Sequence, residues 1–450
     1  MVARHPDRSA LERFSRSEVT SDEERWIEDH LRSGCAVCQR EVDALLRTWD
    51  PAAVSSAKDT GDAEADAGWD RLVALLERRL AAAAAERKEA PQHVAELLAY
   101  PPREREILTR DGERFRTLAV CELVIERSFE ERFRSADRAV ELAELGLFLA
   151  RQLDGERYGR SVVMDLQARA WAYLGNARRM VFDLPGAEAA LLQAERLMET
   201  GSADPLEEAR IFDLRASLLF DQGRFEQAAE LQDAVVDIYE SLREPHRKGR
   251  AMISKGVFLG QAGWPEEAIR VIRKGLGLID WEAEPRLVLM ARHNLVWCLN
   301  ECGRSEEAWR QLQRIRRSYL SFDDPWTKLR LVWLSGLIHT NLGRAAEAEE
   351  SLNEVRRFFQ AQGSGYDAAL ATLDLAHLYL QTGRRAEVKR LAGEMFTLFL
   401  SKDIHRCALA ALAVFQRAAE METATPRLIR DVTDYLRRAR RNPQLRYEPA

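Results

Sequence analysis

The sequence predicts an all-α protein whose larger part is a stack of repeated helical hairpins. Two marks recur at intervals of forty residues: an acidic residue followed by proline, and a glycine that comes eighteen residues after each proline. Alanine, leucine, glutamate and arginine dominate the composition, and all four favour helices. We therefore expect long helices joined by short turns.

Composition narrows the class of protein. The chain has 450 residues, of which 46% are hydrophobic and 31% are charged, which is typical of globular proteins. Its net charge is −6 with both signs interspersed, which argues against a general nucleic-acid binder. No apolar run is long enough to span a membrane, the first residues lack the apolar segment of a secretory signal, and the six cysteines are scattered. We expect a cytoplasmic protein.

The first element, residues 1–48, is predicted to be a small domain of three helices. Ser21 and Glu24 form a capping box at the start of SDEERWIEDHL, and His30 falls in the last turn of that helix. Cys35 and Cys38 then open the next helix, where the backbone N–H groups favour thiolates. One interpretation is a metal site; the other is two buried thiols beside a histidine that complements a helix end.

The spacing H-x4-C-x2-C resembles that of the zinc-binding anti-sigma-factor domain, whose members usually carry one residue fewer between histidine and cysteine. In that family a fourth ligand lies about 25 residues upstream, and His5 matches its place. The resemblance implies a structural zinc ion held by His5, His30, Cys35 and Cys38. Asp29 and Glu41 are the alternatives for the fourth ligand, and oxidation of the thiols is a second hypothesis for control.

Two connecting elements follow the small domain. Residues 49–67 are small and polar, which predicts a flexible linker. Residues 68–111 contain apolar positions at helical spacing and predict one or two helices that lead into the repeats.

Residues 112–404 are predicted to form the stack of hairpins. Proline tolerates the first helical position, the acidic residue before it can cap the helix, and glycine can adopt the left-handed conformation that ends one. The marks are Asp204-Pro205, Glu244-Pro245, Glu284-Pro285 and Asp324-Pro325, with glycines 223, 263, 303, 343 and 383.

Upstream of the first acid-proline pair, the spacing of Trp171, Leu174 and Gly175, followed by Ala187 and Leu191, resembles the tetratricopeptide-repeat pattern. The resemblance implies a solenoid whose first helices line a concave groove that binds partner proteins or peptides. Carried over through the turn glycines, the implied groove residues are Arg210, Arg250, Ile253, His293, Trp297, Asn300, Arg330, Trp333 and His377. The alternative is that the arginines pair with neighbouring carboxylates and the tryptophans belong to the core.

Residues 405–450 are predicted to be two capping helices, the second beginning at Thr425-Pro426, with arginines that face solvent. The alternative is a basic surface that contacts an acidic partner.

Cys298 and Cys302, four residues apart, are interpreted as core packing.

No motif of an enzyme family occurs in the sequence. We interpret the chain as a non-enzymatic regulatory adaptor. Its repeats are expected to capture a protein or peptide, and its zinc module to position or engage a second partner, such as the sigma factor that the resemblance implies. The alternative functions are a nucleic-acid-binding or redox-responsive transcription regulator that uses the zinc module, and an enzyme whose site a partner completes.

Overall fold

A computed structural model describes residues 26–27, 30, 63–132, 134–400, 406–439 and 445–447. This part of the chain is helical and contains no strand, as the sequence predicts. The chain divides into two compact units, residues 1–215 and residues 216–450, and the boundary falls inside one helix. None of the helices in the described ranges is long and apolar enough to span a bilayer.

The helices that precede Pro205 in the described ranges are α1 Ala63–Leu98, α2 Pro102–Asp111, α3 Leu118–Glu131, α4 Ala136–Ala150, the short α5 Gly155–Tyr158, α6 Arg160–Met180 and α7 Leu184–Met198. A 3-10 turn lies at Glu113–Phe115. The helix α1 begins at Ala63, inside the stretch expected to be linker, and runs through Pro91 without ending there. Ala90, Val94 and Leu97 are buried on one side of the helix, so the end of α1 that contains Pro91 is fixed by packing.

The remaining helices form consecutive hairpins. Their bounds are α8 Pro205–Asp221, α9 Phe225–Ser241, α10 Pro245–Gln261, α11 Pro265–Leu276, α12 Pro285–Glu301, α13 Ser305–Leu320, α14 Pro325–Asn341, α15 Ala345–Ala361, α16 Gly365–Gln381, α17 Arg385–Leu400, α18 Arg406–Glu420 and α19 Pro426–Ala439.

Both sequence marks do what was predicted of them. Each helix with an acid-proline start begins at its proline. Each turn glycine has a positive φ, for example +90° at Gly263, and sits two residues after the helix ends. The next amide bonds back to a carbonyl five residues earlier, as Trp264 N does to Leu259 O at 3.0 Å, which is the hydrogen bond of a Schellman stop.

The acidic residues of the pairs have two different roles. Asp324 accepts from Thr327 N at 2.8 Å and so caps α14 as predicted. Glu244 and Glu284 have no capping hydrogen bond. Instead, Glu284 accepts from Arg250 at 2.7 Å, and this bond links the start of one hairpin to the start of the next. Asp324 makes both kinds of contact, because its other carboxylate oxygen lies 3.5 Å from Arg286 of the preceding hairpin.

Small residues set the distance between the two helices of a hairpin. A Cβ atom at Gly256 of α10 would lie 2.4 Å from Cγ1 of Ile272 on α11. The second helices of four hairpins carry an alanine five residues after the turn glycine, and all four are fully buried: Ala228, Ala268, Ala308 and Ala348. Cys298 is buried in the same core, which confirms its interpretation as a packing residue.

A buried ion-pair network lies in the first unit. Glu207 of α8 is 4% exposed and accepts from Arg169 of α6 and from Arg210, the latter at 2.8 Å. Arg169 also lies 3.6 Å from Glu122 of α3. The two guanidinium groups hold the pKa of Glu207 below its ordinary value although burial opposes this.

Candidate binding groove

The first helices of successive hairpins in the second unit pack side by side. The helices α10, α12, α14 and α16 contact one another in that order. Three connected depressions run along the exposed side of these helices, and the C-terminal helix α19 supplies the facing wall of each.

The largest depression has a volume of about 740 Å³. Glu301, Asn341 and Asp374 line it from α12, α14 and α16. Arg430 and Arg437 line it from α19. A volume of this size falls in the range of sites that hold small ligands or a few residues of a chain.

The second depression, of about 270 Å³, surrounds Trp297. His293 and Asn294 lie beside the indole on the same helix, and Phe220 and Arg438 lie across from it. Arg438 also reaches the first turn of this unit, where a Cβ atom at Gly223 would come within 3.2 Å of its side chain. The third depression, of about 540 Å³, lies beside that turn.

One row of polar side chains runs through all three depressions. Its members stand two residues before each turn glycine and all carry a side-chain carbonyl or carboxylate: Asp221, Gln261, Glu301, Asn341 and Gln381. None of these five residues is among the predicted groove residues, although the row follows the forty-residue spacing. The sequence does contain a signal for this row. A polar residue with an acceptor oxygen recurs as the last residue of each of these helices, a position at which helix formation requires no particular side chain.

The three predicted groove arginines differ in location and in their partners. Arg210 lies in the first unit, where it pairs with Glu207. Arg250 pairs with Glu284 at 2.7 Å, so both have carboxylate partners as the alternative interpretation held. Arg330 is exposed and lies near His293, whose pKa it lowers together with burial.

The other predicted groove residues divide between core and groove. Ile253 is fully buried in a cluster with Ile272, so its side chain belongs to the hairpin core. Trp297, Asn300 and His377 line the depressions.

The last two predicted residues, His293 and Trp333, make hydrogen bonds that hold the groove side chains in place. His293 lines the second depression and shares a 2.6 Å hydrogen bond with the Tyr319 hydroxyl; burial lowers the pKa of His293 to about 4, so its ring is neutral near pH 7. Trp333 donates from Nε1 to Oδ2 of Asp374 at 2.7 Å and thereby fixes that carboxylate at the cavity wall.

Two carboxylates give the largest depression its negative side. Burial raises the pKa of Glu301 and of Asp374, while the charge of Arg437 lowers both. No cationic side chain of the described ranges lies within 4.0 Å of either carboxylate. The guanidinium groups of α19 therefore act across the cavity, and the space between the two walls is open to a ligand.

The predicted zinc site lies almost wholly outside the described residues. Of its four ligands only His30 is described, with its ring 6.2 Å from that of Trp26. Elsewhere in the described ranges, no group of three or more histidine, cysteine or acidic side chains is arranged to hold a metal ion.

No family model matches the sequence, and no curated protein matches it. The fold is similar to that of solved structures. A Rap protein complexed with competence and sporulation factor has 14% identity and a TM-score of 0.54, covering 72% of this chain and 88% of its own. The apo form of RapI has 10% identity and a TM-score of 0.50, covering 93% and 99%.

A signal transduction ATPase with a tetratricopeptide repeat sensor from Pyrococcus horikoshii has 13% identity and a TM-score of 0.47, covering 89% of this chain and 57% of its own. The two Rap structures show the fold that this chain shares. It is a tetratricopeptide-like helical-repeat fold similar to that of Rap proteins.

Proposed function

We propose that this chain is a non-enzymatic regulatory adaptor that binds a segment of a partner protein or peptide in the groove of its second unit. The row of acceptor side chains two residues before the turn glycines carries this proposal. Each backbone N–H of an extended segment needs an acceptor, and the carboxylate and amide oxygens of the row can supply it. These contacts do not depend on the side chains of the partner.

The spacing of the row suits an extended chain. Helices that pack side by side lie about 8–10 Å apart, and an extended chain rises about 3.3 Å per residue. One acceptor of the row therefore meets every third residue of the bound segment. Trp297, which is half-buried in the second depression, offers an apolar surface for one anchoring side chain of the partner.

The fold likeness supports the same class of function. One of the similar structures is a Rap protein complexed with competence and sporulation factor, so a stack of this kind accommodates a regulatory partner. The proposal includes a cytoplasmic location.

Selection of binding peptides tests the groove. A library of random 15-residue peptides displayed on phage is selected against the full chain, and the affinity of the selected peptides is measured. We expect Trp297→Ala and Asn341→Ala each to weaken binding about tenfold, since each removes a contact worth about 1–2 kcal/mol. Trp264→Ala is the matched control, because Trp264 is 51% exposed at a turn and lines none of the depressions.

Binders whose affinity is unaffected by both groove substitutions would refute the assignment.

Arg250→Ala combined with Arg330→Ala tests the arginine row that the sequence predicts. Loss of binding in this double variant, with unchanged melting temperature, would support the row. Unchanged binding would remove these arginines from the site.

We extend the proposal to residues 1–48. His5, His30, Cys35 and Cys38 are proposed to hold a structural zinc ion, and the folded module to engage a second partner, with a sigma factor as the first to test. The chemistry fits, since two thiolates and two neutral imidazoles are a common zinc-ligand set. The full chain should contain one zinc per molecule and lose it on Cys35→Ser with Cys38→Ser; a wild-type chain purified without zinc would refute the site.

A further inference from the structure

The C-terminal helix α19 has an apolar side that fixes it in place. Ile429, Val432, Tyr435 and Leu436 are at most 3% exposed and belong to the core shared with α16, α17 and α18. Burial of a large apolar side chain contributes about 1.5–3 kcal/mol, so these four anchor the helix by roughly 6–12 kcal/mol. A ligand of ordinary affinity does not displace it, and α19 stays in place when the groove is occupied.

The opposite side of α19 is cationic and faces the depressions. Arg430, Arg437 and Arg438 line them together with one acid, Asp434. Asp434 lies 3.3 Å from Arg437 and offsets part of its charge. Arg430 has no carboxylate within 4.0 Å in the described part of the chain. This face therefore presents a guanidinium group without a carboxylate partner to the cavity.

The facing wall has the opposite charge. Glu301 and Asp374 stand on α12 and α16, and the bond from Trp333 holds Asp374 in position. The cavity of about 740 Å³ is thus acidic on one side and cationic on the other. An uncharged apolar segment would leave both kinds of charge desolvated and unpaired, which is costly.

We propose that α19 is part of the binding surface and that this cavity takes a short dipolar peptide segment. A carboxylate of the ligand, such as a free C-terminus, lies at Arg430 and Arg437, and an ammonium or guanidinium group lies at Glu301 and Asp374. The inference rests on the proposed function and adds to it the charge pattern and the size of the ligand. It also assigns the arginines of the C-terminal helix to recognition, which favours the alternative of a basic contact surface over a solvent-facing cap.

Pools of random pentapeptides with defined ends test this inference. Four pools are compared, with both ends free, with the N-terminus acetylated, with the C-terminus amidated and with both ends blocked. Each pool is incubated with the full chain, and the peptides that co-elute with it are quantified by mass spectrometry. We expect the pool with free ends to be retained at least tenfold more than the doubly blocked pool, because charge-assisted hydrogen bonds are strong. The advantage should shrink as salt is raised.

Variants separate the two walls. Arg430→Gln with Arg437→Gln should abolish the advantage of a free C-terminus and leave that of a free N-terminus. Glu301→Gln with Asp374→Asn should do the reverse. Arg427→Gln is the matched control on α19, since its side chain is 74% exposed and lines no depression. Thermal melting of each variant verifies that the stack is intact.

Equal retention of the four pools, or a pattern that the wall variants do not change, would overturn the inference and leave the proposed function standing. Retention of no pentapeptide from any pool would also overturn it. The selection of 15-residue peptides described above tests the groove itself, so the two failures are distinguishable.

Discussion

The carboxylate of Asp165 should make the first unit less stable as the pH rises. Asp165 of α6 is 6% exposed and accepts from Ser202 N at 3.0 Å and from Ser202 Oγ at 2.5 Å. Burial raises the pKa of Asp165 to about 6 from its ordinary value of 3.8, the hydrogen bonds from Ser202 oppose this, and the charges of Glu207 and Asp204 add to it. The folded state therefore binds the proton more tightly than the unfolded state.

The sign and size of the effect follow from linkage. A raised pKa contributes stability that is fully present below about pH 4 and is lost as the pH rises through 6. The two pKa values correspond to a loss of about 3 kcal/mol at high pH, of which about 2 kcal/mol is lost between pH 4 and pH 8. Other titrating groups contribute to the total, so the difference between wild type and a variant is the quantity to measure.

The assay compares wild type with Asp165→Asn in urea unfolding between pH 4 and pH 8, read by hydrogen exchange of α6. The asparagine stands in for the neutral acid, so the variant should gain about 2 kcal/mol relative to wild type over this interval. Ser202→Ala should move the wild-type midpoint to higher pH, because it removes a donor that favours the carboxylate. A difference between wild type and Asp165→Asn that does not vary with pH would show that the folded state does not raise the pKa of Asp165.

Three further outcomes are expected. Glu207→Gln should destabilise the first unit by about 3–5 kcal/mol in urea unfolding, because it removes the charge of a buried carboxylate and leaves Arg169, whose side chain is 19% exposed, without its main partner. Gly263→Ala should cost about 1–2 kcal/mol through the backbone alone, since φ is +90° and no atom lies within 4 Å of the added methyl group; a larger loss of melting temperature than at Gly303→Ala would contradict this. Gly256→Val should lower the melting temperature more than either, because its Cβ would meet Ile272 at 2.4 Å.

Local chemistry is what made the hairpins of the second unit predictable. Proline at the first helical position and glycine at the stop act on their own few residues, so Pro245 and Gly263 have the same effect wherever the helix packs. The forty-residue period then repeats that local information along the chain. The same reasoning could not decide which acid caps its helix, because Glu284 turns to a neighbour one repeat away.

The groove was only partly predictable for the same reason. Trp297 and His377 were assigned to it from their position in the repeat, and they line it. Ile253 stands ten residues before its turn glycine, as His293 does, and is core, since its burial depends on the packing of α10 against α11 and not on its own helix. The row of Asp221, Gln261, Glu301, Asn341 and Gln381 was visible in the sequence as a regular spacing. Its significance required a surface to which all five belong.

The fold class and the start and end of the repeated helices could be predicted from local residue patterns. The folded chain was needed to show that α19 faces the groove and that its arginines stand opposite Glu301 and Asp374. The difference comes from how far apart the interacting residues lie along the chain. Helix caps and turns depend on residues within about five positions of one another, whereas residues 301, 374 and 437 are brought to one cavity by the sum of many packing contacts that no local pattern encodes.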